Sequence, residues 1–285
     1  MLRNALILLL IAPIFLQCKG QPRGTTFCAA GGEELNVAMD AWSAAYTSKG
    51  KPPQYEGRGN RTATIALKEG VCEMGASSEA LPDEDIHSIV TATGKKPTIL
   101  PIAIEGMAFI ASADISATSI SQIQLKKIFA NGEQDGSAIG LAGKLQAYGI
   151  NSASDRYNWI KKDVISASFS DRVRELSGPL ALADKIQQTS GGIGYVRPRE
   201  AGSARILAVK TDKGNVLPTV ETIRNGSYPF TRQYYLYLVN PSRETREFVR
   251  FILSEEAQKQ LLPIGLYPLS DAGRKAAIQE LDKLQ

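Results

Sequence analysis

Tyr148-Gly149-Ile150-Asn151-Ser152-Ala153-Ser154-Asp155-Arg156-Tyr157 reads as a strand end, a polar turn and a helix start in one short stretch. The apolar run Lys144 to Tyr148 leads into it, Asp155 is a residue type that favours helix N-termini, and Asp155 to Ile165 has helical apolar spacing. The same grammar recurs upstream, where Thr26 to Ala30 precedes the helical pattern Leu35 to Ser48 and Glu73 to Ala76 precedes Pro82 to Val90. Short apolar runs alternating with helices predict βα units, hence an α/β fold with mainly parallel sheets. The first of these helices carries Leu35, Val37, Ala38, Ala41, Trp42 and Ala45 on one broad stripe that would pack on a sheet. Two longer extended stretches, Thr98 to Ala111 and Tyr234 to Val239, interrupt the alternation, and the spacing from Glu244 to Leu262 and from Asp271 to Leu284 predicts closing helices.

The chain has 285 residues, enough for one large or two medium cores. Its 33 Lys and Arg against 29 Asp and Glu are spread along the sequence, which gives no basic field suited to nucleic acid. The apolar run Ala5 to Leu16, preceded by Arg3, has the length of a secretory h-region and falls short of the roughly 20 residues that span a bilayer. It ends at Gln17-Cys18, so 1–17 reads as a signal peptide, Cys18 as the lipid-attachment residue of an exported lipoprotein, and 18–25 as a polar tether; the alternative is a freely soluble secreted form. Cys28 and Cys72 fall in strand-like segments, where they form either one disulfide or two buried thiols.

Several loops have the composition of anion cradles: Gly31-Gly32-Glu33-Glu34, Gly57-Arg58-Gly59-Asn60-Arg61-Thr62, Ser77-Ser78-Glu79 and Ser152 to Arg156. Helix starts present unsatisfied N–H groups and partial positive charge, to which Ser hydroxyls and Arg add further donors. Two readings follow. On one, Gly32, Glu33, Asn60, Arg61, Ser77, Ser78, Ser154, Asp155 and Arg156 line a binding site for a small oxyanion. On the plainer one, Asp155, Glu33 and Glu34 are ordinary capping or first-turn acids and the arginines are solvated surface. Other chemistry finds no support: His87 is the only histidine, so there is no Ser-His-Asp set and no His/Cys cluster for zinc, and the Gly57 loop lacks a Gly-Lys-Ser/Thr ending. We expect no cofactor, no metal and no enzymatic activity. The tyrosines at 228, 234, 235 and 237 read as strand and core residues.

The Tyr148 stretch, followed by Gly191-Gly192-Ile193-Gly194-Tyr195 and by Pro218-Thr219-Val220-Glu221-Thr222-Ile223 with Gly226-Ser227-Tyr228-Pro229-Phe230-Thr231-Arg232, resembles in letters and order the periplasmic phosphate-binding proteins of ABC importers. Leu125-Lys126-Lys127-Ile128-Phe129 and Leu253 to Gln258, followed by Gly265 to Leu269, extend the resemblance from about Phe27 to Leu269. It implies a venus-flytrap fold: two α/β lobes, each a mainly parallel sheet flanked by helices, joined by two hinge crossings, with 26–104 and 232–285 in lobe 1 and 105–231 in lobe 2. It also implies a phosphate or related ligand, an importer permease as partner and a monomeric state, with a surface lipoprotein of degenerate site, acting in adhesion, sensing or assembly, as the alternative.

The departures fall on the ligand loops. The family's Arg corresponds to Ile150 and its Ser-Gly-Thr to Ser154, Asp155 and Arg156; its glycine-loop Ser corresponds to Asn60 and its proton acceptor to Ser78. The resemblance therefore implies weakened phosphate binding, with Asp155 capping its own helix and Arg156, or Arg58 and Arg61, supplying the missing charge.

Overall fold

The computed structural model describes residues 26–140 and 143–284. The signal peptide, Cys18 and the tether lie outside them. The first half of the chain runs β1 (Thr26–Gly31), α1 (Asn36–Tyr46), β2 (Gln54–Gly57), α2 (Asn60–Lys68), β3 (Cys72–Ser77), α3 (Asp83–Thr93) and β4 (Thr98–Gly106). It continues through β5 (Ala108–Ala111), β6 (Ser119–Ile120), α4 (Gln122–Phe129), β7 (Gln146–Ile150), α5 (Asp155–Trp159), β8 (Arg174–Leu176), α6 (Pro179–Gln187) and β9 (Gly192–Val196). It ends with β10 (Arg205–Thr211), β11 (Gly214–Val216), α7 (Val220–Arg224), β12 (Thr231–Leu238), α8 (Arg243–Ile252), α9 (Glu255–Lys259) and α10 (Asp271–Asp282).

Two sheets result. The first has the order β2-β1-β3-β12-β4, with β12 running against its neighbours; the second has the order β11-β10-β5-β9-β7-β8, with β6 beside β10. The chain passes from the first to the second between β4 and β5 and returns into β12, which pairs with β4 in the register Thr231↔Gly106 and Arg232↔Glu105. Met107 N donates to Phe230 O at 3.0 Å, so the outgoing and returning strands stay paired where they cross.

Close backbone approach fixes the loop ends. A Cβ on Gly31 would sit 1.8 Å from Ala76 O, so only glycine lets β1 lie against β3 there, and Gly59 adopts φ +117°, a region that favours glycine. Cys28 of β1 and Cys72 of β3 form a disulfide with Cα atoms 5.0 Å apart, which settles the choice left by the sequence.

Helices cover the sheets, with Ala38 and Trp42 of α1 buried as the apolar stripe predicts, but Val37 of that stripe is 59% exposed and Met39 takes the buried position instead. Trp42 of α1 is fully buried, and its indole N–H donates to Ala257 O at 2.9 Å, tying the N-terminal helix to the C-terminal ones. Burial of such a side chain contributes on the order of 1.5–3 kcal/mol. Gln258 locks the same layer to the hinge strand, donating to Ile102 O and accepting from Leu269 N. The helix expected from Glu244 to Leu262 is split into α8 and α9 because Ser254 starts a new cap, its hydroxyl accepting from Ala257 N. The Asp155 to Ile165 helix is α5 followed by a π turn, Ile160–Ile165. Tyr234 and Tyr237 of β12 are buried as expected; Tyr228 is buried but precedes the strand, and Tyr235 is in the strand but only half-buried. Among the described residues no helix is long and apolar enough to cross a membrane.

Candidate functional site

The carboxyl ends of β1 and β3 carry the first side of a cleft. Gly32 follows β1, donates its N–H to Ala76 O and accepts from the Tyr55 hydroxyl at 2.6 Å, which holds the loop in place. Asn60 opens α2 and reads Ser78 from both ends: its amide NH₂ donates to Ser78 Oγ at 2.9 Å and its carbonyl oxygen accepts from Ser78 N at 3.0 Å. Ser77 is buried, and its Oγ accepts from Glu79 N. Ser78 is thus fixed with its hydroxyl toward the other sheet.

That side is supplied by the turn after β7. Ser154 caps α5 by accepting from Arg156 N at 3.2 Å, so Asp155 does not cap its own helix as expected. Asp155 instead crosses the cleft, where its Oδ2 accepts from Ser78 Oγ at 2.9 Å and lies 2.7 Å from Arg232 Nη2. Between these walls is a cleft of about 350 Å³ lined by Gly32, Glu33, Glu34, Arg58, Gly59, Asn60 and Ser78 on one side and by Ala153, Asp155 and Asn158 on the other. That volume lies within the roughly 300–1,000 Å³ of small-molecule sites. A second opening of about 330 Å³ along the same seam is lined by Glu33, Glu34, Ile150, Ser154 and Arg156, among others.

Behind the cleft lies a charge cluster that motif reading does not assemble. Glu105, at the end of β4, is fully buried. It accepts from Arg197 Nε at 2.5 Å, from Arg232 Nε at 2.8 Å and from the Tyr234 hydroxyl at 2.8 Å, and it lies 3.2 Å from Arg156 Nε. Arg156 also donates to both oxygens of Glu200, at 3.1 and 2.9 Å, and lies 3.6 Å from Glu34; Arg197 reaches Glu34 at 3.3 Å. Burial alone would raise the Glu105 carboxyl, but the guanidiniums of Arg197, Arg232 and Arg156 outweigh it and hold the group well below the usual carboxylate range. For Glu34 burial wins, with help from Glu105, and its carboxyl is pushed up despite the three arginines. Glu105 and the other carboxylates keep Arg197 and Arg232 firmly protonated against the opposing effect of burial.

Of the residues picked out from sequence, Gly32, Glu33, Asn60, Ser78, Ser154, Asp155 and Arg156 therefore border the seam. Two arginines depart from expectation. Arg61 is exposed and lines neither opening, because Asn60 takes the cleft-facing position at the start of α2, and Arg58 lines the cleft instead. Arg156 is buried with its charge already matched by Glu34, Glu105 and Glu200, so it does not replace the guanidinium missing at Ile150. Motif reading does not single out Arg232, Glu105 or Arg197 as site residues, and it gives Tyr234 only as a strand and core residue. The signal for them is a lone carboxylate in the apolar strand Thr98–Gly106, which demands a cation partner, and the one-face spacing of Arg232 and Tyr234 on β12.

Two sheets of α/β units joined by paired crossing strands, with polar loop ends meeting across a seam, define a two-lobed solute-binding architecture. Residues 19–256 match the family described as the PBP superfamily domain, and the chain belongs to it. The phosphate-binding protein PstS of Pseudomonas aeruginosa is 26% identical over 279 residues, covering 89% of this chain and 86% of that protein. The fold is shared with the crystal structure of PstS from Borrelia burgdorferi, at a TM-score of 0.71 and 20% identity over 86% of this chain and 99% of that one. It is shared equally with an ABC-type phosphate transport receptor from Vibrio cholerae, at 0.72 and 15% over 85% and 98%.

Proposed function

We propose that this protein is the extracytoplasmic substrate-binding component of an ABC importer, closing lobes 26–104 with 232–285 and 105–231 on phosphate or a related small oxyanion. The observation that carries the ligand class is the convergence of Ser78 Oγ and Arg232 Nη2 on one carboxylate oxygen of Asp155, at 2.9 and 2.7 Å. The hydroxyl donates to that oxygen and the guanidinium faces it as a buried positive charge, a pairing that suits an oxyanion. Gly32, Asn60 and Arg58 line the cleft with Ser78 and Asp155, while Arg232 lines a separate opening with Trp159 and Tyr235. Membership of the PBP superfamily and the names of the relatives support the same reading. The protein binds and delivers its solute without transforming it, an importer permease receives that solute, and Cys18 carries the lipid that tethers the exported chain.

Calorimetric titration of the purified chain with phosphate, arsenate and sulfate tests the ligand class. We expect saturable one-to-one binding of at least one of these anions, weakened in Ser78→Ala; a folded protein that binds none of them overturns it. The tether is tested separately by Cys18→Ala, which should release the protein from membranes of a lipoprotein-processing host.

A further inference from the structure

We infer that the position between Ser78 Oγ and Arg232 Nη2 is an anion subsite that the chain fills with its own Asp155 carboxylate, so that a ligand anion must displace it; as regards the ligand, this rests on the function proposed above. Three observations lead there. Ser78 has one hydroxyl proton to give. Asn60 donates to Ser78 Oγ and takes the Ser78 backbone N–H, and of the two acceptors within reach of the Ser78 hydroxyl proton, Asn60 Oδ1 at 3.2 Å and Asp155 Oδ2 at 2.9 Å, the nearer lies across the seam. Arg232 is likewise built into place: its side chain is only 8% exposed, its guanidinium lies 4.5 Å over the Trp159 ring, and its Nε is engaged by Glu105. Its Nη2 lies 2.7 Å from Glu105 Oε2 and from Asp155 Oδ2, yet its N–H directions align with neither. That donor is buried and held by charge alone, which leaves it free to serve an acceptor placed on its N–H axis.

Asp155 is the opposite kind of group. It is the most exposed partner in the trio, 25% exposed at the start of α5, which runs on into the π turn, and it reaches into the cleft. Its neighbours are not set up to accept a second anion beside it. Glu33 and Glu34 line the same cleft, and Arg156 and Arg197 are matched by Glu34, Glu105 and Glu200. With Asp155 in place none of the three buried guanidiniums is unmatched, so beyond the exposed Arg58 at the rim an incoming oxyanion gains a cation only by taking Arg232 from Asp155. A tethered carboxylate at high local concentration is a strong competitor. It lowers the apparent affinity of any anion by the fraction of time that it occupies the subsite.

Two variants test this. Asp155→Ala empties the subsite while leaving Ser78 and Arg232, and formate is small enough to enter. We expect formate to raise the melting temperature of Asp155→Ala saturably and that of the unaltered chain not at all. Equal response of both proteins, or response of neither, overturns the inference. Asp155→Asn keeps the volume and removes the charge, and should bind phosphate at least tenfold more tightly than the unaltered chain, about 1.4 kcal/mol. Unchanged or weaker phosphate binding in Asp155→Asn also overturns it, since Asp155 would then be a spectator or a ligand contact. If no form binds phosphate, arsenate or sulfate, the ligand class proposed above falls, and the formate comparison still decides whether the subsite exists.

Discussion

Behind the cleft, Glu105 is wholly buried and faced by three guanidiniums and a tyrosine hydroxyl; at its mouth, Asp155 is 25% exposed and shared between one hydroxyl and one guanidinium. Both carboxylates join the two sheets, yet they serve different ends. A buried charge cannot be parted from its counter-charges without a large desolvation penalty, so Glu105 belongs to the framework. A half-wet carboxylate can trade its partners for water or for a ligand at small cost, so Asp155 belongs to the working surface. The contrast between wet and dry carboxylates tells a structural ion pair from a replaceable one.

The largest test of this contrast is Glu105→Ala. It leaves Arg156, Arg197 and Arg232 crowded together without their shared counter-charge, and removal of one partner from a buried pair costs about 3–5 kcal/mol. Urea unfolding should report a loss of that size, whereas Asp155→Asn should change stability by less than about 1 kcal/mol. Equal losses from the two substitutions would erase the distinction. Next in size is reduction of Cys28–Cys72, which closes a sequence separation of 44 within the first sheet and should contribute about 2–4 kcal/mol. The chain reduced with a thiol should unfold at correspondingly lower urea, while Cys28→Ser/Cys72→Ser should be insensitive to the reductant.

Acid should separate the regions again. The folded-state pKa of Glu105 is depressed, so the stability that it contributes is present above its ordinary value of 4.5 and is lost as pH falls below that toward the depressed value. The pKa of Glu34 is raised, so its contribution has the opposite sign: stability is fully present below 4.5 and declines as pH rises through the raised value. Acidification from neutrality should therefore first relieve Glu34 and only then break the Glu105 cluster. Unfolding midpoints measured across pH 7 to 3 should fall steeply below about 4.5 in the unaltered chain and much less in Glu105→Gln. A parallel fall in both proteins would place the acid sensitivity elsewhere.

How much of this was legible in the sequence follows from distance along the chain. The βα alternation and the loops at Gly32, Asn60, Ser78 and Ser154 are local patterns, because N-caps, glycine turns and apolar spacing are settled within a few residues. The Glu105 cluster is not local: Arg197 lies 92 residues from Glu105 and Arg232 lies 127 away, and only the β4–β12 register and the second sheet's loops bring them together. Asp155 shows the limit most clearly. Its residue type and position at a helix start predicted a cap, but Ser154, one residue earlier, takes the cap and frees Asp155 to reach the other sheet. Two adjacent candidates for one local role cannot be ranked without knowing what lies opposite.

The smallest expected effect is at the outer rim, with Arg58→Ala. Its side chain is 76% exposed and pairs with Glu56 at 2.7 Å, so loss of that pair should move stability by less than about 0.5 kcal/mol. Arg58 nevertheless lines the cleft, and a cation there acts on an incoming oxyanion through water and salt rather than by contact. Such an interaction is screened over about 10 Å at 0.1 M salt. We therefore expect phosphate binding to weaken about threefold at low ionic strength, roughly 0.7 kcal/mol on the scale of tenfold per 1.4, and the difference to vanish in half-molar salt. Arg232, buried and in contact, should behave otherwise: Arg232→Lys keeps the charge but loses the forked donor geometry, and its deficit should persist at every salt concentration. If Arg58→Ala instead weakened binding as much as Arg232→Lys, and did so in high salt, the ligand would be held at the rim, and the division between a buried donor inside and a screened cation outside would be reversed.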